Sequence, residues 1–156
     1  MSGQFLLDVA DQDTAILHAT CVAAEGRGML FVGRSGAGKS ALGLQMMALG
    51  AGLVADDRVV LRMEGESVLV DAPAPIRGLI EARGIGLLRA QPVGPVKLSY
   101  VVDLDQSEPA RLPEVVQIRA LRQTVPLLRG AGVPNLASAL MQLLRMGRVD
   151  PEWPSI

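Results

Sequence analysis

At 156 residues the chain is long enough to bury one core but too short for two full-sized domains, so a single domain over 1–156 is the expectation. Hydrophobic residues make up 49% and charged residues 20%, which excludes a disordered composition. Fifteen basic residues against sixteen acidic ones leave a net charge of −1, which excludes the polycationic field needed for non-specific binding to nucleic acid or an anionic membrane.

The opening "MSGQFLLDVA" has no basic start, apolar run or small-residue cleavage site, so no export is expected. In chain order, "TAILHATCVAA" (14–24) and "MLFV" (29–32) are apolar runs separated by "EGRG", which predicts two strands joined by a tight turn. Cys21 is the only cysteine, which excludes an internal disulfide and a cysteine-based metal cluster; the cytosol is the expected compartment. Helical spacing follows in "SALGLQMMALG", where Leu42, Met46 and Leu49 lie three or four residues apart and Gly50 suits a left-handed helix end. The mostly apolar stretch from Ala41 to Ala55 contains Gln45 and three glycines and falls short of the roughly 20 apolar residues that a spanning helix needs.

"LVADD", "RVVLRM" and "SVLV" predict three brief antiparallel strands, with "EGES" turning between the last two. "PAPIRGLIEARGIGLLRAQPVGP" follows no period and is rich in Gly and Pro, which predicts a long functional loop. "VKLSYVVDLD" predicts a buried strand, and "VVQIRAL" and "VPLLR" predict two more. "PNLASALMQLLRMG" predicts a closing helix with Leu136, Leu140, Leu143 and Leu144 on one stripe, Pro134 at its start, and Arg145 and Gly147 at its end.

"GRSGAGKS", residues 33–40, has the G-x-x-x-x-G-K-[ST] spacing of a phosphate loop, between a strand ending at Val32 and a helix starting near Lys39. Gly33, Arg34, Ser35, Gly36, Ala37 and Gly38 would wrap a triphosphate with inward N–H groups, aided by the positive end of the helix. Lys39 would reach the β- and γ-phosphates, and the Ser40 hydroxyl would ligate Mg²⁺. The loop by itself says only that a nucleotide binds, because kinases, ATPases and switches share the device.

A bound triphosphate needs a carboxylate for Mg²⁺, and a kinase needs another beside the acceptor hydroxyl. Two segments qualify, Asp56 and Asp57 in "LVADD" and Asp103 and Asp105 in "YVVDLD", and spacing leaves the choice open. Adjacent aspartates on a strand point to opposite faces, which suits one to the metal and the other to the acceptor.

"LHA", "GRSGAGKS", "LVADDRV" and "APAPIRGLIEARGIGLL", in this order and at these intervals, resemble the catalytic domain of the HPr kinase/phosphorylase family over roughly residues 14 to 140. The resemblance implies a phosphate-loop α/β fold of the phosphoenolpyruvate carboxykinase-like type, with a mixed sheet and flanking helices. It also implies ATP and Mg²⁺ as cofactors, an HPr-type phosphocarrier as the serine acceptor, reverse dephosphorylation with inorganic phosphate, and a homo-oligomer of six subunits. By the same resemblance Asp56 and Asp57 are the acidic pair for Mg²⁺ and for acid–base handling of the serine, and His18 supports the acid–base aspartate. By residue type alone, a lone histidine in an apolar strand is more often a packed core residue. Glu81, Arg83 and Gly84 fall on the family's E-x-R-G signature, which assigns Glu81 to the metal and Arg83 to phosphate.

Three departures from the family pattern stand out. Ala41 follows Ser40 where many relatives carry an acidic residue, and the segment "GAGVPNLA" keeps Asn135 without the arginine of a Gly-Arg-Asn sequence, leaving Arg129 as its nearest substitute. The N-terminal domain of many relatives is also missing from the matched span, so a catalytic domain by itself is expected. Two further readings fit the loop: a phosphate-loop kinase for a small molecule, and a nucleotide-gated module that binds a phosphocarrier without modifying it.

Overall fold

The apolar run before the phosphate loop forms a strand with both faces buried, and the rest of the chain is arranged around it. In the computed structural model, which describes residues 3–153 and side chains from Leu6 onward, Met29 and Phe31 of β3 (Arg27–Val32) point into one core while Leu30 and Val32 point into another. Period-two alternation with apolar residues at every position is what a central strand covered on both sides requires. Residues 1–2 and 154–156, the ends of the expected 1–156 domain, lie outside the described residues.

The core on the Leu30 and Val32 side gathers Leu17 of β1 (Thr14–Leu17), Cys21 of β2 (Thr20–Ala24), Leu61 of β5 (Val59–Glu64) and Val70 of β6 (Ser67–Asp71), with Leu6 of the short helix α1 (Gly3–Asp8) packed among them. The opposite face carries two helices. Leu42 and Met46 of α2 (Lys39–Ala48) pack with Leu140, Met141 and Leu144 of α3 (Leu136–Met146) over Phe31. Arg27 donates to the Leu144 carbonyl at 2.8 Å and Arg145 to the Leu49 carbonyl at 2.6 Å, so guanidinium groups take up carbonyls that helix ends leave free.

The sheet is mixed, as the family resemblance implies. With β4 (Gly52–Ala55) and β9 (Val96–Ser107), its order is β1-β5-β6-β9-β3-β2-β4. The 12-residue β9 lies parallel to β3, and past β6 its other edge takes on β11 (Gln123–Ala131), which pairs in turn with β10 (Val116–Ala120). Register on the inner edge pairs Val32 with Asp103, so β9 runs alongside the beginning of the phosphate loop.

Three sequence expectations change. The run 14–24 is not one strand: it breaks at His18 and Ala19, because β1 pairs with β5 whereas β2 pairs with β3 and β4. β4 lies at the far edge beside β2 and does not pair with β5, so only β5 and β6 form the expected antiparallel neighbours. The supposed loop 73–95 holds a 3₁₀ turn at Ala74–Ile76 and a hairpin of β7 (Leu79–Ala82) and β8 (Gly86–Arg89), whose strands are too short to show a period.

The hairpin is seated through Gly43 of α2. A Cβ there would lie 3.1 Å from Thr20 Cγ2 and 3.4 Å from Ile80 Cδ1, so the missing side chain lets the helix approach both β2 and β7. Gly43→Leu is expected to lower stability by about 1–3 kcal/mol through overpacking, despite leucine's better helix propensity, as measured by urea unfolding.

Candidate functional site

β3 ends at Val32 and the chain turns through residues 33–38 into α2, whose first residue is Lys39. Gly36 at φ 85° and Gly38 at φ 100° hold left-handed conformations that side chains resist, and Gly38 is the N-cap of the helix. The loop opens onto a cleft of about 440 Å³ lined by Ser35, Gly36, Gly38, Lys39, Ser40, Thr20, Asp56, Asp57, His18, Glu81 and Arg83. Thus the structure brings together Lys39, Ser40, His18, both adjacent aspartates, Glu81 and Arg83, while Gly33, Arg34 and Ala37 lie outside its lining.

The Lys39 ammonium donates to the carbonyls of Gly33 at 2.7 Å and Arg34 at 3.0 Å. Burial holds its pKa below the ordinary value of 10.5, and the carboxylates of Asp105 and Asp56 oppose that shift. Positive charge therefore sits where a phosphate chain could replace carbonyl partners.

Asp56 and Asp57 diverge as their adjacency predicts, but through a turn at the end of β4. Asp57 has φ 69°, a conformation that aspartate tolerates better than most residues, and the Arg58 N–H closes the turn onto the Asp56 carbonyl at 2.8 Å. Asp56 faces inward at 4% exposure, where one oxygen accepts from Thr20 Oγ1 at 2.7 Å and the other from the Glu81 N–H at 3.0 Å. Ser40 Oγ lies 2.8 and 3.0 Å from the two oxygens. A buried carboxylate is tolerable only with such donors, since its desolvation otherwise costs several kcal/mol. The adjacent serine hydroxyl and carboxylate form an all-oxygen donor pair suited to a hard cation such as Mg²⁺, which takes few protein ligands.

Asp57 faces solvent, with an oxygen 3.0 Å from His18 Nε2. His18 occupies the break between β1 and β2 and is partly exposed, so it is not a packed core histidine. Glu81 and Arg83 are exposed on the hairpin and neither is salt-bridged among the described residues, contrary to an ordinary exposed ion-paired loop. Gly84 lies in the hairpin turn beyond the cleft wall. Arg129, the proposed substitute for the missing arginine, lines a second groove between β11 and α3 and binds Gln106 and Glu108. Asn135 caps α3. Cys21 is fully buried, and burial pushes its thiol well above the ordinary range, leaving an unreactive core side chain.

A family model described as the HPr Serine kinase C-terminal domain matches residues 10–95, which include the phosphate loop, both aspartates and the hairpin. The chain belongs to this HPr serine kinase family. An HPr kinase/phosphorylase of Aromatoleum aromaticum is 32% identical over 155 residues, covering 86% of this chain and 50% of the relative. One from Caldicellulosiruptor bescii is 47% identical over 91 residues, covering 56% of this chain and 29% of the relative. The chain therefore spans about half the length, or less, of these curated relatives. The solved HPr(Ser) kinase/phosphatase of Coxiella burnetii shares the fold with a TM-score of 0.74 at 22% identity, covering 84% of this chain and 94% of that one.

Sequence reasoning missed Thr20. It is a lone hydroxyl in an apolar strand, and its only sequence signal is polarity where neighbouring positions are buried. Thr20→Val keeps the shape but deprives Asp56 of a donor, with an expected loss of about 1–3 kcal/mol in urea unfolding. Lys39 gives a pH signature. Between its depressed folded pKa and 10.5 the unfolded chain binds more protons, so stability rises with pH through that window, and the burial penalty is fully present below it. Buried Cys21 acts in the opposite sense above about pH 9, because the folded thiol keeps a proton that the unfolded one loses, so the rise is expected in the difference in stability between the parent and Lys39→Met, measured by denaturant titrations from neutral pH to 10.5.

Proposed function

We propose that the chain, acting as one catalytic domain, is an ATP- and Mg²⁺-dependent serine kinase for an HPr-type phosphocarrier. The observation that carries this reading is the division of the adjacent aspartates, one buried on Ser40 beside Lys39 and the other at the solvent face on His18. Family membership supports the phosphocarrier as acceptor, and the relatives named as HPr kinase/phosphorylase support the same chemistry.

In this reading Lys39 and the amides of Ser35, Gly36 and Gly38 hold the β- and γ-phosphates. Ser40 and Asp56, with Glu81 at the rim, would hold Mg²⁺, which would supply charge neutralisation for the transferring phosphoryl group. Asp57 orients the acceptor and takes its proton; the seryl oxygen forms a bond to the γ-phosphorus as the bond to the bridging oxygen of ADP breaks. His18 supports the Asp57 carboxylate, and Arg83 holds the transferred phosphoryl group or, in the reverse direction, inorganic phosphate.

A protein acceptor is favoured over a small molecule by the rim. Ile85 is 79% exposed and Leu87 66% exposed on the same hairpin as Arg83, an apolar pair suited to another protein surface. Met146, exposed at the end of α3, supports the homo-oligomer, hexameric by resemblance, that belongs to the same proposal. No helix among the described residues is long and apolar enough to cross a membrane, which is compatible with a cytoplasmic phosphocarrier.

The test incubates the protein with Mg²⁺, γ-labelled ATP and an HPr-type phosphocarrier. Label is expected on a phosphocarrier serine, with none above background for Lys39→Ala. Asp57→Asn is expected to slow transfer roughly 100-fold or more while nucleotide affinity stays the same. Full transfer by Asp57→Asn would overturn its acid–base role, and ATP turnover stimulated by small hydroxylated metabolites alone would replace the protein acceptor.

A further inference from the structure

The aspartates of β9 stand outside the cleft, yet one of them touches the loop. We propose that Asp105 is a positioning residue that braces the phosphate loop from its outer side, on the reading of residues 33–40 as a nucleotide site. Its Oδ2 accepts the Arg34 backbone N–H at 2.9 Å, and its Oδ1 lies 3.4 Å from Arg34 Nη1. The side chain is 21% exposed and does not line the cleft, so it acts through the loop and not on a bound phosphate.

Topology places it there. Parallel pairing sets Asp103 beside Val32, the last residue of β3, and two residues farther along β9 Asp105 comes level with Arg34. Contact at the start of the loop is close: a Cβ on Gly33 would lie 3.4 Å from Leu104 Cβ and 3.5 Å from Asp105 Oδ1. Asp103 is 2% exposed and spends both oxygens on its own strand, accepting from the Asp105 N–H at 2.8 Å and from Gln106 Nε2 at 2.7 Å. Gln106 Oε1 in turn accepts from Arg129 Nε at 3.1 Å. Asp103 is therefore a support for Asp105, with its carboxylate engaged on its own strand and outside the cleft.

The brace acts on the residues that hold Lys39. Gly33 and Arg34 supply the two carbonyls to the ammonium, and Asp105 fixes Arg34 and adds a negative charge nearby. Turning the Arg34 amide outward leaves the cleft to be lined by Ser35, Gly36 and Gly38. A charge-assisted hydrogen bond of this kind limits the loop conformations that a nucleotide would otherwise have to select.

The experiment compares the parent with Asp105→Ala and Asp105→Asn in two measurements. Amide hydrogen exchange without nucleotide is expected to be about tenfold or more faster at Arg34 in Asp105→Ala, with Leu30 and Phe31 of β3 unchanged. Asparagine keeps an acceptor oxygen, so Asp105→Asn is expected to restore most of the protection. Calorimetry with Mg-ATP is expected to give about tenfold weaker binding for Asp105→Ala, while the maximal transfer rate at saturating nucleotide stays within about twofold of the parent. Unchanged Arg34 exchange together with unchanged affinity in Asp105→Ala would overturn the brace. Failure of the parent to bind nucleotide would overturn the phosphate-loop reading, and the Arg34 exchange would still decide whether Asp105 holds the loop. Should Asp105→Ala not fold, exchange at Arg34 in Asp105→Asn as fast as in the unfolded chain would equally overturn it.

Discussion

Asp56 is the point at which the separate parts of the cleft meet. Its oxygens take a hydroxyl from β2, a hydroxyl from the first turn of α2 and a backbone N–H from β7. Each bond to a carboxylate is worth about 1.5–3 kcal/mol, and each lost partner leaves a buried charge less compensated. A single buried carboxylate therefore fixes the strand, the helix and the hairpin in one geometry. This is also why Gly43 matters at the site: the close seating of α2 on β2 and β7 brings Ser40, Thr20 and the Glu81 amide to the same side chain.

The phosphate loop is constrained from two sides by elements distant in sequence. Asp56 lies on the cleft side and Asp105 on the outer side, with Lys39 between their fields. Burial works against the ammonium and the two carboxylates offset part of that effect, with no direct carboxylate partner on the ammonium. A direct salt bridge would have to be broken before the lysine met a phosphate. Two backbone carbonyls are weaker partners to displace, and that makes the arrangement suited to exchange for an anion.

Legibility in the sequence follows the range of the interaction. The loop and α2 are legible because glycine, lysine and serine at fixed spacing impose a local geometry, and β9 is legible because its middle, Tyr100 to Val102, is an apolar run whose neighbours Val101 and Val102 enter opposite cores. The hairpin 79–89 is not, since its four-residue strands are stabilised by packing Ile80 against α2 and not by their own pattern. Nor could spacing choose between the two aspartate pairs. Asp56 with Asp57 and Asp103 with Asp105 each end an apolar strand. They separate only in three dimensions, where Asp103 is consumed by its own backbone and Gln106 while Asp56 faces Ser40. Thr20 is equally silent, because a hydroxyl in a buried strand gains meaning only from the carboxylate across from it.

The same distinction explains how one stretch can carry the whole cleft wall. Every residue lining it lies between His18 and Arg83, inside the span that the family model matches, although the chain covers about half of the relatives' length. Residues beyond 95 contribute differently, through β9 alongside the loop and α3 over Phe31. Chemical groups and the frame that holds them are thus separated along the chain. Substitutions in the later part can leave every cleft side chain in place and still alter the loop, by way of Asp103, Asp105 and the Gln106–Arg129 contact behind them.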